Sequence, residues 1–438
     1  MSKLTRLIEK IFVVFSLIVF SGVITTLLNE NNELTSGQSE NDPISRILLF
    51  GIQIITVILI VGWRKKIIPI LFKGNFILWA LVGIILASAL WSDTPAATLG
   101  SSNNILRVTL FGIYFSARFS LKEQLRLLAW ALGIGALLSL IVAIVLPSYG
   151  VMGAGSIQTQ QGTAHTGAWQ GIYGHKNVLG RYMSLGALVF LLLAKSSRKY
   201  RWLAWAGLCL CVSLLLLSTS KTALIVLLAI TALMPLFRTL QWNYTLAVPF
   251  FITVILVAAS VATFLLENAE AILGTFGRDT TLTGRTLLWA TVLYKIWQRP
   301  WLGYGYGGFW LGWEGESADV WRIVRWEVPH AHNGFLDLWL NVGLLGLAVF
   351  VLSFISAFFR SIALLRQSKN KDILCFWPLA YLTFLLLVNL TESSLMRMSI
   401  IWMLYVSVTF TIHNKSNNLT ALNTLEKQQV KRTAMYER

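Results

Sequence analysis

The chain is built from about twelve long apolar runs separated by short polar segments. They fall at roughly 11–28, 45–63, 76–91, 105–117, 127–146, 178–194, 202–218, 222–237, 244–266, 335–358, 373–390 and 398–412. A helix needs about 20 residues to cross the hydrocarbon layer, and backbone amides cannot be left unpaired there. Runs of this length therefore predict an all-α polytopic membrane protein with about twelve transmembrane helices over residues 1–413. Composition agrees: 56% of residues are hydrophobic and 13% charged, with mean hydropathy +0.67. The 18 Trp and 12 Tyr suit the two interfacial belts, where a ring can be half wet. Cys209, Cys211 and Cys375 all lie in apolar runs and read as small core residues, not as a disulfide or metal framework.

Lys and Arg set the expected orientation. With the N-terminus inside and the spans alternating, the inner segments hold 24 of the 36 bases against five acids, a net of +19, and the remainder of the chain is at −2. This is the positive-inside asymmetry, with both termini cytoplasmic and the polar residues 414–438 forming a basic cytoplasmic tail. The overall charge of +17 then reports topology and contact with anionic lipid, which excludes a nucleic-acid footprint as its cause. The first apolar run has no small-residue cleavage site after it and reads as a retained helix.

Two outer segments stand out. Residues 147–177 form a Gly/Gln/Thr-rich loop ending in "GAWQGIYGHKNVLGR". Residues 267–334 form a large periplasmic loop. Within it "TGRTLLWATVLYKIWQ" places Leu288, Val292 and Ile296 on a helical stripe, closed by Pro300 and a glycine-rich turn. "GYGYGGFW" contains G-x-G-x-x-G but follows no predicted strand, so it reads as a tight turn or a close backbone approach, not a dinucleotide site.

The few charges kept on the outer side cluster in short motifs. "GHKNVLGR" gives His175, Lys176, Asn177 and Arg181; "STSKTA" gives Ser218, Ser220, Lys221 and Thr222. "GRDTTLTGRT" gives Arg278, Asp279, Arg285 and Thr286, and "PHAHNGFLDLWLNVGLLG" gives His330, His332, Asn333 and Asp337. "TESSLMR" adds Glu392 and Arg397. Taken singly, a base at a helix end snorkels and an Asn or Ser caps a helix. His330 with His332 lacks visible partner ligands for zinc, so no metal is expected. Jointly, five outer segments bring a cation or an imidazole to one membrane depth. A shared anion accounts for that, since Lys and Arg bind phosphate oxygens by charge and fork geometry. A neutral imidazole can take a proton from a hydroxyl, and cations on a diphosphate improve it as a leaving group.

At these residues the sequence resembles the bacterial O-antigen ligase and polymerase family, and within it the polymerases of exopolysaccharide production. The matching pieces are "WSDTP" (Trp91–Pro95), "GAWQGIYGHKNVLGR", "STSKTA", "TGRTLLW", "PWLGYGYGGFW" and "HAHNGFLDLWLNVGLLG", in family order over about residues 75–405. The resemblance implies a glycosyltransferase of the integral-membrane GT-C type in the bacterial inner membrane. It would work at the periplasmic face, invert the anomeric carbon and require neither metal nor cofactor. Its donor would be an oligosaccharide on undecaprenyl diphosphate, and a chain-length regulator is a further implied partner. Carried over by position, His332 occupies the family's essential histidine and Arg285 the arginine of the large loop. Lys221 stands where ligases usually carry arginine, which favours a polymerase over a ligase acting on lipid A core. His175 and Lys176 belong to the polymerase-like signature. In this reading His332, Arg285 and Lys221 are catalytic, and His175, Lys176, Asn177, Arg181, Arg278, Asn333 and Asp337 bind substrate. A transporter of bicarbonate or a lipid-linked sugar is the competing class. It should place charge at the bilayer midplane, where these spans carry almost none.

Overall fold

The computed structural model describes residues 2–23, 43–73, 75–153, 166–196, 198–243, 285–367 and 373–414, with a few positions between 245 and 253. The described residues are helical, and the one β feature among them is an isolated bridge between Val151 and Trp169. In chain order the helices are α1 (Lys3–Phe20), α2 (Pro43–Gly62), α3 (Arg64–Lys73), α4 (Phe76–Ala87), α5 (Pro95–Arg118), α6 (Leu121–Val145), α7 (Lys176–Ser196), α8 (Arg201–Leu217), α9 (Lys221–Thr239), α10 (Arg285–Gln298), α11 (Ser317–Val324), α12 (Gly334–Gln367), α13 (Trp377–Asn389) and α14 (Ile400–Asn414). Five of them, α2, α6, α7, α9 and α12, are long and apolar enough to span a membrane. The α3–α4 pair, bent by 80°, makes a sixth if it is one broken span. Shorter apolar helices α8, α13 and α14 complete the bundle. The protein is an integral membrane protein. The span predicted at 244–266, Arg278 and the tail from residue 415 lie outside the described residues.

Burial follows from which faces are apolar. α14 is buried on all sides, from Ile400 to Ile412, with Trp402 and Tyr405 fully enclosed. A helix apolar all round belongs in the centre of a bundle. α5 reaches it closely at Gly112, where an added Cβ would meet the Met403 carbonyl at 2.8 Å. α2 instead turns Ile47, Phe50, Ile54 and Ile58 outward, and α6 does the same with Leu137, Ile141 and Ile144. Such continuous apolar faces suit lipid and not water. One buried cation lies halfway along α5. Arg107 is buried in the middle of α5, with Nε donating to Gln53 at 3.1 Å and Nη1 to Asn104 at 2.8 Å.

The segment from α10 to the start of α12 has its own small core. Leu288, Val292 and Ile296 of α10 pack with Tyr304, Phe309, Trp310, Val320, Trp321, Val328 and Ala331. The predicted helical stripe is therefore present, and it faces this core. The glycine-rich turn is pressed against a kink in α12. Gly343 (φ +67°) breaks the helix there, and a Cβ on it would lie 2.1 Å from the Trp301 carbonyl. The amides freed by the kink are not orphaned: Leu344 donates to the Pro300 carbonyl at 2.8 Å and Leu345 to that of Trp301 at 3.2 Å. The turn is thereby fixed to α12, and the chain entering α12 is held at one height.

Candidate active site

Three helices begin at one place. α7 starts at Lys176, after His175 accepts the Asn177 amide on its ring Nδ1 at 3.1 Å. α9 starts at Lys221, after Ser220, whose hydroxyl donates to the Asn177 side-chain oxygen at 3.2 Å. That bond ties the two N-termini together, and Gly180 lets them approach, since a Cβ there would meet Ser220 at 2.6 Å. α12 starts at Gly334, after Asn333, whose side chain accepts from Phe335 (3.0 Å) and Leu336 (3.2 Å), as an N-cap does. Each N-terminus carries partial positive charge, so their convergence favours an anion.

The turn between α13 and α14 closes the group. Asn389 organises it by accepting the amides of Ser394 and Leu395, both at 2.8 Å. It places Glu392 at the centre, 7% exposed. Asn177 donates its side-chain N–H to Glu392 Oε1 at 3.0 Å. Arg285, the first residue of α10, lies 3.9 Å from the same oxygen and donates to the Thr391 carbonyl at 2.9 Å. His332 Nδ1 lies 4.0 Å from Oε2. Arg181 donates to Ser394 Oγ, and Arg397 lies 3.6 Å from Asp337. Asp337 also accepts from the Trp310 indole at 2.9 Å and the Ala331 amide at 3.0 Å, so it shapes the loop that presents His332.

The two histidine rings lie 4.2 Å apart between centroids, tilted by 59°, and His330 Nδ1 accepts the His332 amide at 3.1 Å. Burial, with Arg285, His175 and Arg397 nearby, pushes the His332 imidazole down to about 3. His330 is pushed down for the same kinds of reason, burial first, then His332, Arg397, Arg181 and His175. Both rings are therefore neutral near pH 7, with a lone pair free of a proton. Burial raises the Glu392 carboxyl, opposed by Arg181, Arg285, the Asn177 bond and Arg397.

Several polar atoms here are buried and without a hydrogen bond: His332 Nδ1, Arg181 Nε, Asp337 Oδ2, Thr391 Oγ1 and Ser393 Oγ. Leaving one such group unmet costs about 1–3 kcal/mol. Backbone strain collects at the same loops. Thr219 (φ +52°), His332 (φ +50°) and Met396 (φ +50°) are three of the four non-glycine residues in the left-handed region among the described residues. Each costs on the order of 1–3 kcal/mol and marks a site where conformation is imposed by need. A narrow cavity enters beside Asn177, Arg181, Ser220, Thr222 and Glu392.

The ligand atoms of His330, His332 and Glu392 lie within 4.8 Å of one another, close enough to share a cation. The surrounding charge opposes that. Arg181, Arg285 and Arg397 act on this group, and their charge, which adds to burial in keeping the imidazoles neutral, also disfavours a cation. The three guanidinium groups are what suits an anion.

Of the residues singled out in the sequence, His175, Asn177, Arg181, Arg285, His332, Asn333 and Asp337 come together. Lys176 opens α7 beside them. Lys221 opens α9 next to Ser220 with an exposed side chain. Sequence reasoning missed the organising role of Glu392, and its signal was a lone acid in an apolar stretch close to Arg397. His330, Ser394 and Arg397 were also left without a role.

Residues 206–351 match a family model described as O-Antigen ligase. That stretch carries Ser220, Lys221, Arg285, His330, His332 and Asp337. The exopolysaccharide production protein ExoQ of Rhizobium meliloti (strain 1021) is 32% identical over 240 residues, which cover 50% of this chain and 53% of ExoQ. The chain thus spans about half the length of this curated relative. The middle of the chain is thus similar to the O-antigen ligase family, and half of the chain is similar to an exopolysaccharide production protein.

Proposed function

We propose that the chain is an inverting membrane glycosyltransferase of the bacterial inner membrane. It polymerises oligosaccharide repeat units carried on undecaprenyl diphosphate, with both chain termini cytoplasmic, the site periplasmic and a GT-C type bundle of about twelve spans. The observation that carries this reading is the meeting of a neutral, buried imidazole with Arg285 and Arg181 at three helix N-termini, on one end of an apolar bundle. An anionic group on a lipid carrier lies at that depth, and the bundle's apolar outer faces suit the polyprenyl chain.

In this mechanism Arg285 and Arg181, with Lys176, Lys221 and Arg278, hold the diphosphate and take up charge as it leaves. His332 receives the proton of the acceptor hydroxyl, which attacks the anomeric carbon from the side opposite the phosphate. One C–O bond forms as the C–O bond to the diphosphate breaks. His175, Asn177, Asn333 and Asp337 shape the pocket. No metal enters the scheme, and a chain-length regulator is a proposed partner.

A polymerase is preferred to a ligase because Lys221 gives a point charge and no bidentate fork, and because the relative acts in exopolysaccharide production. The experiment is His332→Ala in cells whose own gene is deleted. Polymer disappears while protein level and membrane insertion persist, a loss of at least about 10²-fold for a general base. Unchanged product length would remove His332 from the mechanism.

A further inference from the structure

Among the described residues, Glu392 is the carboxylate that faces Asn177 and Arg285 on one side and His332 on the other. It comes from the α13–α14 turn, outside the region that matches the family model. Oε1 faces Asn177 of α7 and Arg285 of α10, and Oε2 faces Nδ1 of His332. Arg181 and Arg397 also bear on it electrostatically. A carboxylate only 7% exposed needs compensation, yet it holds one close hydrogen bond, with the Arg285 guanidinium at 3.9 Å and the neutral His332 ring at 4.0 Å. It is shared loosely and not saturated.

We propose that Glu392 is a positioning residue with two successive partners: it neutralises Arg285 while the site is empty, and, once a lipid diphosphate takes Arg285, it holds the Nδ1 side of His332. This inference rests on the glycosyltransferase reading. With the Nδ1 proton directed to Glu392, the Nε2 lone pair faces the acceptor. When the hydroxyl proton moves to Nε2, the imidazolium is balanced by the Glu392 carboxylate, as in other imidazole–carboxylate pairs. The electron pair of the broken C–O bond stays on the diphosphate, and the proton on Nε2 passes to water or to that leaving group. Glu392 gains and loses no proton. It also competes with the donor for Arg285, so it weakens binding while supporting turnover.

That competition separates the role from a structural one. Glu392→Gln keeps the shape and can still accept from Asn177, but carries no charge. The full-length variant, purified in detergent, is tested for binding of undecaprenyl diphosphate and for polymer formation from lipid-linked repeat units. Expected is tighter binding of undecaprenyl diphosphate, by roughly tenfold or more because a like charge beside the diphosphate is gone, together with turnover at least about tenfold slower. Glu392→Asp, which restores the charge on a shorter stem, recovers the binding constant toward that of the wild type. Glu392→Gln that binds and turns over as the wild type does, or loses binding and turnover together while remaining folded, overturns the proposal. Wild-type protein that forms no polymer while binding the lipid overturns the glycosyltransferase reading and this proposal with it. An active wild type, an inactive His332→Ala and an unaffected Glu392→Gln sink only the present inference.

Discussion

Two buried carboxylates, at different places in the bundle, are treated in opposite ways. Glu9 in α1 is saturated: Arg118 reaches both oxygens at 2.7 Å and the Tyr114 hydroxyl donates at 2.7 Å. The Arg118 guanidinium also lies 4.3 Å over the Trp63 ring. Glu392 has one hydrogen bond, at 3.0 Å, with the Arg285 guanidinium at 3.9 Å, the neutral His332 ring at 4.0 Å and several buried polar atoms without a hydrogen bond around it. A fully matched buried pair ties helices together and leaves nothing for a ligand. A loosely matched one leaves donors ready for an anion, at a cost in stability that a merely structural site would have no reason to carry.

The sharpest way to break this contrast is to remove one cation from each pair. Arg118→Ala strands a buried Glu9 and is expected to destabilise the protein by about 3–5 kcal/mol, as loss of one partner of a buried pair does. Tryptophan-fluorescence melting in detergent and the yield of folded protein check it. Arg285→Ala should leave that melting curve nearly in place and lower polymer formation by roughly 10²–10³-fold, the usual loss of one donor to developing charge. If Arg285→Ala melts as early as Arg118→Ala, the outer group is a structural clasp and the contrast fails.

A smaller step sharpens the chemistry of the same residue. Arg285→Lys keeps the charge and loses the fork, and its activity should fall by about tenfold, between the wild type and Arg285→Ala. Full activity in a polymer-length assay would show that charge alone suffices there.

How much of this was readable beforehand differs between bundle and site. The apolar runs at 45–63, 127–146 and 178–194 became α2, α6 and α7 with ends shifted by a few residues, because hydropathy reports the lipid-facing and core faces directly. The run at 105–117 was too short. α5 begins at Pro95, and its first turns are polar because Thr98 and Ser101 lie against Gly305 and Gly307 of the large loop. Hydropathy cannot see a polar helix that packs on polar backbone. At the site, His332, Arg285, Arg181, Asn177 and His175 were legible as polar groups set at the ends of apolar runs, and the fold brings them together. Glu392 was visible but mute, since a lone acid does not reveal which partners it will meet, the Asn177 amide lying 215 residues away along the chain. The left-handed backbone at His332 and the close approach of its ring to His330 were equally unreadable, because each depends on the loop docking onto α12.

The smallest expected effect concerns protons. His332 is held at about 3 in the folded protein, against about 6.5 for an unperturbed imidazole. Between those values the unfolded chain binds a proton that the folded chain refuses, so stability must fall as pH drops through 6.5 and stop falling near 3. The folded-state value is lowered and the group is a base, so the contribution is fully present above pH 6.5 and is lost on acidification. The linkage amounts to on the order of 1–2 kcal/mol between pH 8 and pH 5. His330 acts in the same direction. Glu392 acts oppositely, because its raised carboxyl takes up protons in the folded state first. His332→Asn removes one of these terms, so its melting temperature should vary less between pH 8 and pH 5 than that of the wild type. Glu9 and Arg118 are untouched by this change, which makes Arg118→Ala the control: it lowers the whole melting curve without flattening it. Identical pH slopes in the wild type and His332→Asn would mean that the imidazole is not held neutral by burial, and the difference drawn between the saturated and the unsaturated carboxylate would lose its electrostatic basis.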